Sequence, residues 1–156
     1  MEGAVAATQS RVERHTAEEV NERIRRQLEA NVTYYAGRLD EIERRLTDLE
    51  EEWDIERALE VNASSLALAG LGLSLVWSRK FLVLPLVVAG FFLQHGLQGW
   101  CPPVPLFRRM GVRTSREIFT EAYALKALRG DFHDVDGQTE GDRYERAHKA
   151  LEAAGV

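Results

Sequence analysis

Hydrophobic positions along the chain fall into three zones with different periods. In the first, Val20, Ile24, Leu28 and Val32 recur every four residues. The spacing then changes to 3-4-3-4-3-4 through Val32, Tyr35, Leu39, Ile42, Leu46, Leu49 and Trp53, a heptad seam flanked by Arg and Glu. Thr16 is placed to cap this helical arm, with Glu18 and Glu19 at the positive end of its dipole. Gly37 interrupts the pattern close to the change of period. Two arrangements follow: a long helix that pairs with a second copy as a coiled coil, or a helical hairpin that turns near Ala36-Gly37. Self-association is the favoured one. Residues 1–15 are expected to be disordered, and 16–60 to form the arm.

The second zone, residues 61–100, is apolar throughout. Between Val61 and Trp100 the ionisable side chains are Arg79, Lys80 and His95. They divide the zone into runs at 61–77 and 81–100, about 25 and 30 Å long as helices, against a hydrocarbon core of about 30 Å. Ser78-Arg79-Lys80 leaves room only for a tight hairpin turn. Pro85 falls early in the second run, where its missing N–H costs little, and Trp77 and Trp100 stand at the run ends, as interfacial indoles do. Ala63, Ala67, Gly70 and Ser74 share one face of the first helix and would allow close helix packing, against the second helix or another copy.

In the third zone, Cys101-Pro102-Pro103-Val104-Pro105 is expected to be extended or turning, so that 101–114 is a Cys-Pro-rich turn. Thr114 or Ser115 then caps an amphipathic helix within 115–130, closed by Gly130. Its apolar side, Ile118, Ala122, Leu125 and Leu128, suits either the membrane surface or packing against the arm. Residues 131–156 read as an acidic tail with a weak helix. The predicted fold is an all-α membrane protein, with a two-helix transmembrane hairpin, a helical N-terminal arm and an amphipathic C-terminal helix.

Charge adds an orientation. The 156 residues carry a net charge of −5, unevenly spread: nine basic and sixteen acidic side chains in 1–60, five and none in 61–114, six and nine in 115–156. Arg44, Arg45, Arg57, Arg108, Arg109, Arg113 and Arg116 flank the hairpin, whereas its loop holds Arg79 and Lys80. This bias predicts a multi-pass protein with both termini cytoplasmic. The acidic balance argues against nucleic-acid binding. A single cysteine excludes a disulfide framework or a Cys-rich metal site within one chain.

Motifs for phosphate binding, zinc proteolysis and serine hydrolysis are absent, and no cofactor or metal is expected. Asp134-Val135-Asp136-Gly137 has Phe132 where a calcium loop needs its first ligand and Arg143 where it needs its closing Glu. Candidate chemistry lies instead at the end of the second run. Gln94, Gln98 and Cys101 share a face there and His95 lies beside Gln98; polar groups at membrane depth need partners or water. Arg108 and Arg109 lie near enough in sequence to favour a Cys101 thiolate.

The segment Gly99-Trp100-Cys101-Pro102, followed by Leu106, Gly111 and Thr114, resembles the two-helix membrane domain that ends the YgaP-type inner-membrane rhodaneses. The likeness covers roughly 58–114: a short hairpin ending in Gly-x-Cys-Pro, an apolar turn, then Gly-x-x-Thr. It implies a bacterial inner membrane, hairpin dimers and, by association, sulfur metabolism. Pro103 and Pro105 depart from the pattern, no second cysteine follows Thr114, and these residues include no rhodanese domain. Of the family's features, Cys101 alone carries over.

Three functions are therefore expected, in order. The first is a non-enzymatic membrane anchor or accessory subunit that self-associates, with a dimer favoured, and engages a partner protein in the bilayer. The second is sulfane-sulfur handling or redox sensing through Cys101. The third is small-anion transport by an oligomer lined by Gln94, His95 and Gln98.

Overall fold

The computed structural model describes residues 8–133 and 147–151, which form helices and turns without a strand among them. The helices are α1 (Thr8–Arg14), α2 (Glu18–Ala36), α3 (Ile42–Glu51), α4 (Ile55–Val76), α5 (Val83–Gln98), α6 (Pro103–Arg109) and α7 (Ser115–Arg129). Short 3-10 turns at Leu39–Glu41 and Arg79–Leu82 lead into α3 and α5. The chain divides into two compact units, Met1–Gln27 with Trp53–Ile118 and Leu28–Glu52 with Phe119–Val156.

The first unit is built on the α4–α5 hairpin. The 22 residues of α4 would extend about 33 Å. Together with its lead-in turn, α5 is a 20-residue helical segment, Arg79–Gln98, and both are long and apolar enough to cross a bilayer. Ser78 makes the turn tight by accepting a hydrogen bond from the Lys80 amide. The small-residue face of α4 is turned toward α5. Gly70 is buried, and a Cβ placed there would come within 2.6 Å of Pro85 Cδ and 3.1 Å of Leu84 Cβ. Ala63, Ala67 and Ser74 are the half-buried positions beside it.

At the open end of the hairpin, Val12, Ile55, Leu59, Cys101 and Val104 form a buried cluster, with Phe107 and Val112 packed on it. Two expectations change here. The segment 1–15 is not wholly without structure: α1 begins at Thr8 and puts Val12 into this core, while residues 1–7 lie outside the described residues. The Cys-Pro-rich turn contains a helix, α6. Pro103 and Pro105 sit in its first turn, where amide protons have no helical acceptor to lose.

In the second unit the helical arm bends. Gly37 and Arg38 separate α2 from the turn into α3, so the seven seam positions do not lie on one helix. Ile42, Leu46 and Leu49 of α3 are buried within the chain; Leu39 and Trp53 are exposed, and Val32 and Tyr35 half-buried. On α7, Leu125 and Glu121 are also fully buried. Arg45 on α3 donates to Glu121 from Nε (2.9 Å) and Nη2 (2.8 Å), and Asn31 on α2 donates to the same carboxylate at 3.2 and 3.3 Å. Arg129 closes the other end of α7 onto Glu43. Of the apolar side expected for α7, Ile118 and Leu125 are buried within the chain, whereas Leu128 is exposed. The outward side of α7 shows Phe119 and Tyr123, whose ring centroids are 6.5 Å apart. The acidic tail and its Asp134–Gly137 segment lie largely outside the described residues, of which 147–151 are helical.

Candidate functional site

The open end of the hairpin brings together the side chains with chemical potential, and four local devices build it. Asp54 caps α4 by accepting from the Arg57 amide at 2.8 Å, and its other oxygen accepts from the Ser115 hydroxyl. The Ile55 amide donates to the Arg113 carbonyl at 2.8 Å, which ties the start of α4 to the segment before α7. At the end of α5, Gly99 turns the chain with φ +73°, a conformation in which a side chain is strained. Its missing Cβ also makes room for α1, because a Cβ there would lie 2.4 Å from Arg11 Cβ. Arg11 Nη1 then caps α5 by donating to the Leu97 carbonyl at 2.6 Å.

The reversal at Gly99 returns Cys101 to the hairpin core and next to His95. His95 is buried, and its Nε2 donates to Glu56 Oε2 at 2.9 Å. The second ring nitrogen, Nδ1, is buried without a hydrogen bond of normal geometry, and so is Glu56 Oε1. The Cys101 thiol is the other side chain that interacts with the imidazole. A carboxylate, an imidazole and a thiol thus stand in sequence. That order orients a base and places it beside a nucleophile.

A cavity of about 180 Å³ opens from this point between the helices. Leu59, Asn62, Ala63 and Leu66 line it from α4; Val88, Phe91 and Phe92 line it from α5; Cys101, Pro102 and Pro103 close its end. Asn62 is the one amide among otherwise apolar walls and the thiol.

A second polar cluster supports the site from below. Arg108 is fully buried on α6. Its guanidinium forms a two-pronged pair with Glu117, Nη1 to Oε2 at 2.6 Å and Nη2 to Oε1 at 2.8 Å. It also donates to Thr16 Oγ1, Asn21 Oδ1 and the Val112 carbonyl at 3.3, 3.0 and 3.2 Å. Thr114 and Glu117 complete a reciprocal cap for α7: the Thr114 amide donates to Glu117 at 2.7 Å and the Glu117 amide to Thr114 Oγ1 at 3.3 Å. Burial alone would raise the Glu117 pKa, but hydrogen bonds from Arg108 and Thr114 outweigh it and hold the carboxyl below its usual range. One more arginine joins the layer, as Arg23 Nη2 donates to the Arg109 carbonyl at the end of α6 (2.8 Å).

The predicted residues are thus redistributed. His95 and Cys101 come together. Gln94 is half-buried and Gln98 exposed, so Gln94, His95 and Gln98 do not share one polar lining within the chain. Of the seven flanking arginines, Arg108 and Arg113 are buried and Arg45 is paired with Glu121. Glu56 and the Arg108 cluster were not anticipated. A signal for Glu56 existed: it lies one heptad before Ala63 and two before Gly70, on the same helix face. The Thr114-x-x-Glu117 spacing likewise marks a capping box, yet nothing local to it names Arg108 as the third member.

Among the described residues, no group of three or more His, Cys, Asp or Glu side chains is arranged to hold a metal ion. No protein-family profile, curated protein or solved structure matches the chain.

Proposed function

We propose that the chain is a membrane-inserted helical hairpin that serves as an anchor or accessory subunit, presenting its helical units to a partner protein at one face of the bilayer. The observation that carries this reading is the exposed girdle of α4 and α5. Leu68, Leu75, Trp77, Leu86, Leu93 and Leu97 all stand largely open, Leu75 by 88% and Trp77 by 81%. An apolar surface of that extent is stable against lipid and not against water. The polar groups on these helices fit the same environment. Ser74 donates to the Leu71 carbonyl of its own helix, His95 is paired, and Arg79 and Lys80 stand at the turn, within snorkelling reach of headgroups.

The proposed setting is a bacterial inner membrane with both termini cytoplasmic. The Gly99–Pro102 likeness supports the first part. The exposed Arg44, Arg57, Arg109 and Arg116 against Arg79 and Lys80 support the second. Self-association remains part of the proposal through the outer helix faces rather than the heptad seam, whose buried positions are already covered.

Carbonate extraction of cell membranes, combined with reporter fusions at the turn and at each terminus, tests the placement. The chain is expected in the carbonate-resistant pellet with both termini on the cytoplasmic side. Recovery in the soluble fraction would end the anchor reading. Native mass spectrometry from mild detergent then reads partner and copy number directly.

A second reading, thiol chemistry at Cys101, is favoured by one specific observation: the imidazole of His95 is held between Glu56 and that thiol. Transport has no comparable support, since His95 is buried and paired with Glu56 while Gln98 is exposed.

A further inference from the structure

We propose that Cys101 is an S-acylation site. It accepts a long-chain acyl group from an acyl thioester, with His95 as its base and the cavity between α4 and α5 as the seat of the chain. The inference deepens the thiol reading and rests on the membrane placement, since the acyl chain needs a lipid-facing groove.

Three independent features converge on it. The thiol closes one end of the cavity, so a group joined to sulfur enters the cavity directly. The walls are of the wrong kind for a polar adduct: Leu59, Ala63, Leu66, Val88 and Phe91 offer methyl, methylene and ring surface. The volume of about 180 Å³ takes roughly six methylene-sized groups at about 30 Å³ each. The lining runs from Leu59 to Leu66 on α4, seven residues or about 10 Å, alongside Val88 to Phe92 on α5. An acyl chain begun at Cys101 therefore lies along the helices and continues into lipid. Lastly, a buried imidazole stands between Glu56 and the thiol, with Nε2 committed to Glu56 and the Cys101 thiol as its other side-chain partner.

The chemistry balances without a redox partner. The Cys101 proton passes to His95 as sulfur attacks the carbonyl carbon of the incoming thioester. A new carbon–sulfur bond forms, the bond to the leaving thiol breaks, and the imidazolium returns the proton to the departing thiolate. Glu56 orients the ring and balances its charge while the proton is held there. The products are a Cys101 thioester and a free thiol.

The test uses the full chain purified in mild detergent, incubated with palmitoyl-coenzyme A or acetyl-coenzyme A and read by intact mass and peptide mapping. One long-chain acyl group is expected on Cys101, removed by neutral hydroxylamine and absent from Cys101→Ser. Acetyl transfer is expected to be at least tenfold slower, because the short group gains nothing from the groove. His95→Gln should slow palmitoyl transfer about a hundredfold. Ala63→Phe fills the groove from its α4 wall and leaves Cys101, His95 and Glu56 in place. It should suppress palmitoyl transfer while leaving the far-ultraviolet spectrum and the urea midpoint unchanged, which separates groove loss from misfolding. Equal rates for the two thioesters, or palmitoylation untouched by Ala63→Phe, would overturn the assignment. So would a native adduct that a reductant removes and hydroxylamine does not, which points to sulfur or oxidation instead. Carbonate extraction of the same preparation reads membrane placement separately: a soluble chain that still acylates Cys101 refutes the anchor and not the site.

Discussion

Replacing Arg108 by Met should be among the most destabilising single changes in the unit that closes the hairpin. The Met side chain keeps the aliphatic stem and approximate volume, so cavity formation contributes little. What changes is electrostatic. Five hydrogen bonds vanish, and the Glu117 carboxylate, 15% exposed, is left with the Thr114 amide as its remaining named donor. Removing one member of a buried ion pair costs about 3–5 kcal/mol, because the other charge stays behind without compensation. Thr16 loses less than the rest, since its hydroxyl still donates to the Val12 carbonyl at 2.8 Å.

The double variant Arg108→Met/Glu117→Leu removes both charges. It should cost less than either single change, about 1–2 kcal/mol, mainly from the lost cap at the start of α7. Pulse proteolysis across a urea series in mild detergent measures the midpoint for each variant, and the four proteins close a double-mutant cycle. If the double variant loses as much as the two singles summed, Arg108 and Glu117 are not coupled. If Arg108→Met lies within about 1 kcal/mol of the parent, the residue is not buried in the way described here.

Four further outcomes follow from the same contacts. Glu117 has a folded pKa below its unfolded value of about 4.5, so its contribution is fully present above that pH and is lost as pH falls toward the depressed folded value; Glu117→Gln should flatten this acid-side loss in the same proteolysis assay. Gly99→Ala should cost about 2 kcal/mol or more, since it combines a left-handed backbone with a 2.4 Å approach to Arg11; freed α1 should then be cleaved by trypsin at Arg11 or Arg14 under native conditions. Gly70→Val drives a side chain into Pro85 and Leu84, and the dodecyl-sulfate midpoint for hairpin unfolding, followed by Trp fluorescence, should fall by an amount worth about 1–3 kcal/mol. Ile42→Ala should cost about 2–5 kcal/mol with no dependence on protein concentration, because Ile42 is buried within one chain; a loss that grows on dilution would restore the intermolecular coiled coil.

Local patterns in the sequence carried the elements well and their partners poorly. The hairpin was legible because its signals are local: two apolar runs, a three-residue polar break and a small-residue face. The seam was legible as well, but a heptad pattern states that a face needs cover and does not state by what. Here α2 and α3 are tied to α7 by Asn31 and Arg45 to Glu121, contacts that join residues separated by 90 and 76 positions. The prolines after Cys101 misled for a different reason. Prolines break a helix interior, but at the first turn of α6 they forfeit no hydrogen bond. The seven flanking arginines look equivalent in the sequence, yet the buried Arg108 has its charge balanced by Glu117.

One compositional fact connects both polar clusters. Residues 61–114 contain five basic side chains and no acidic one, so any buried base or imidazole in that stretch must borrow its carboxylate from outside. His95 takes Glu56, the second-nearest acid before the stretch begins; Arg108 takes Glu117, the first acid after it ends. The two borrowed carboxylates fasten the start of α4 and the start of α7 to the open end of the hairpin, through an imidazole in one case and a guanidinium in the other. Neither pair is a free gain in stability, because a buried ion pair contributes little more than a well-packed apolar substitute. The Arg108–Glu117 pair is fully used by caps and hydrogen bonds on every side, which suits a structural clasp. The Glu56–His95 pair leaves one carboxylate oxygen without a hydrogen bond and sets a thiol against the imidazole. A cluster built only to hold helices together would have no need of that thiol or of an unsatisfied oxygen, and this asymmetry is the reason to look for chemistry at Cys101 and not at Arg108.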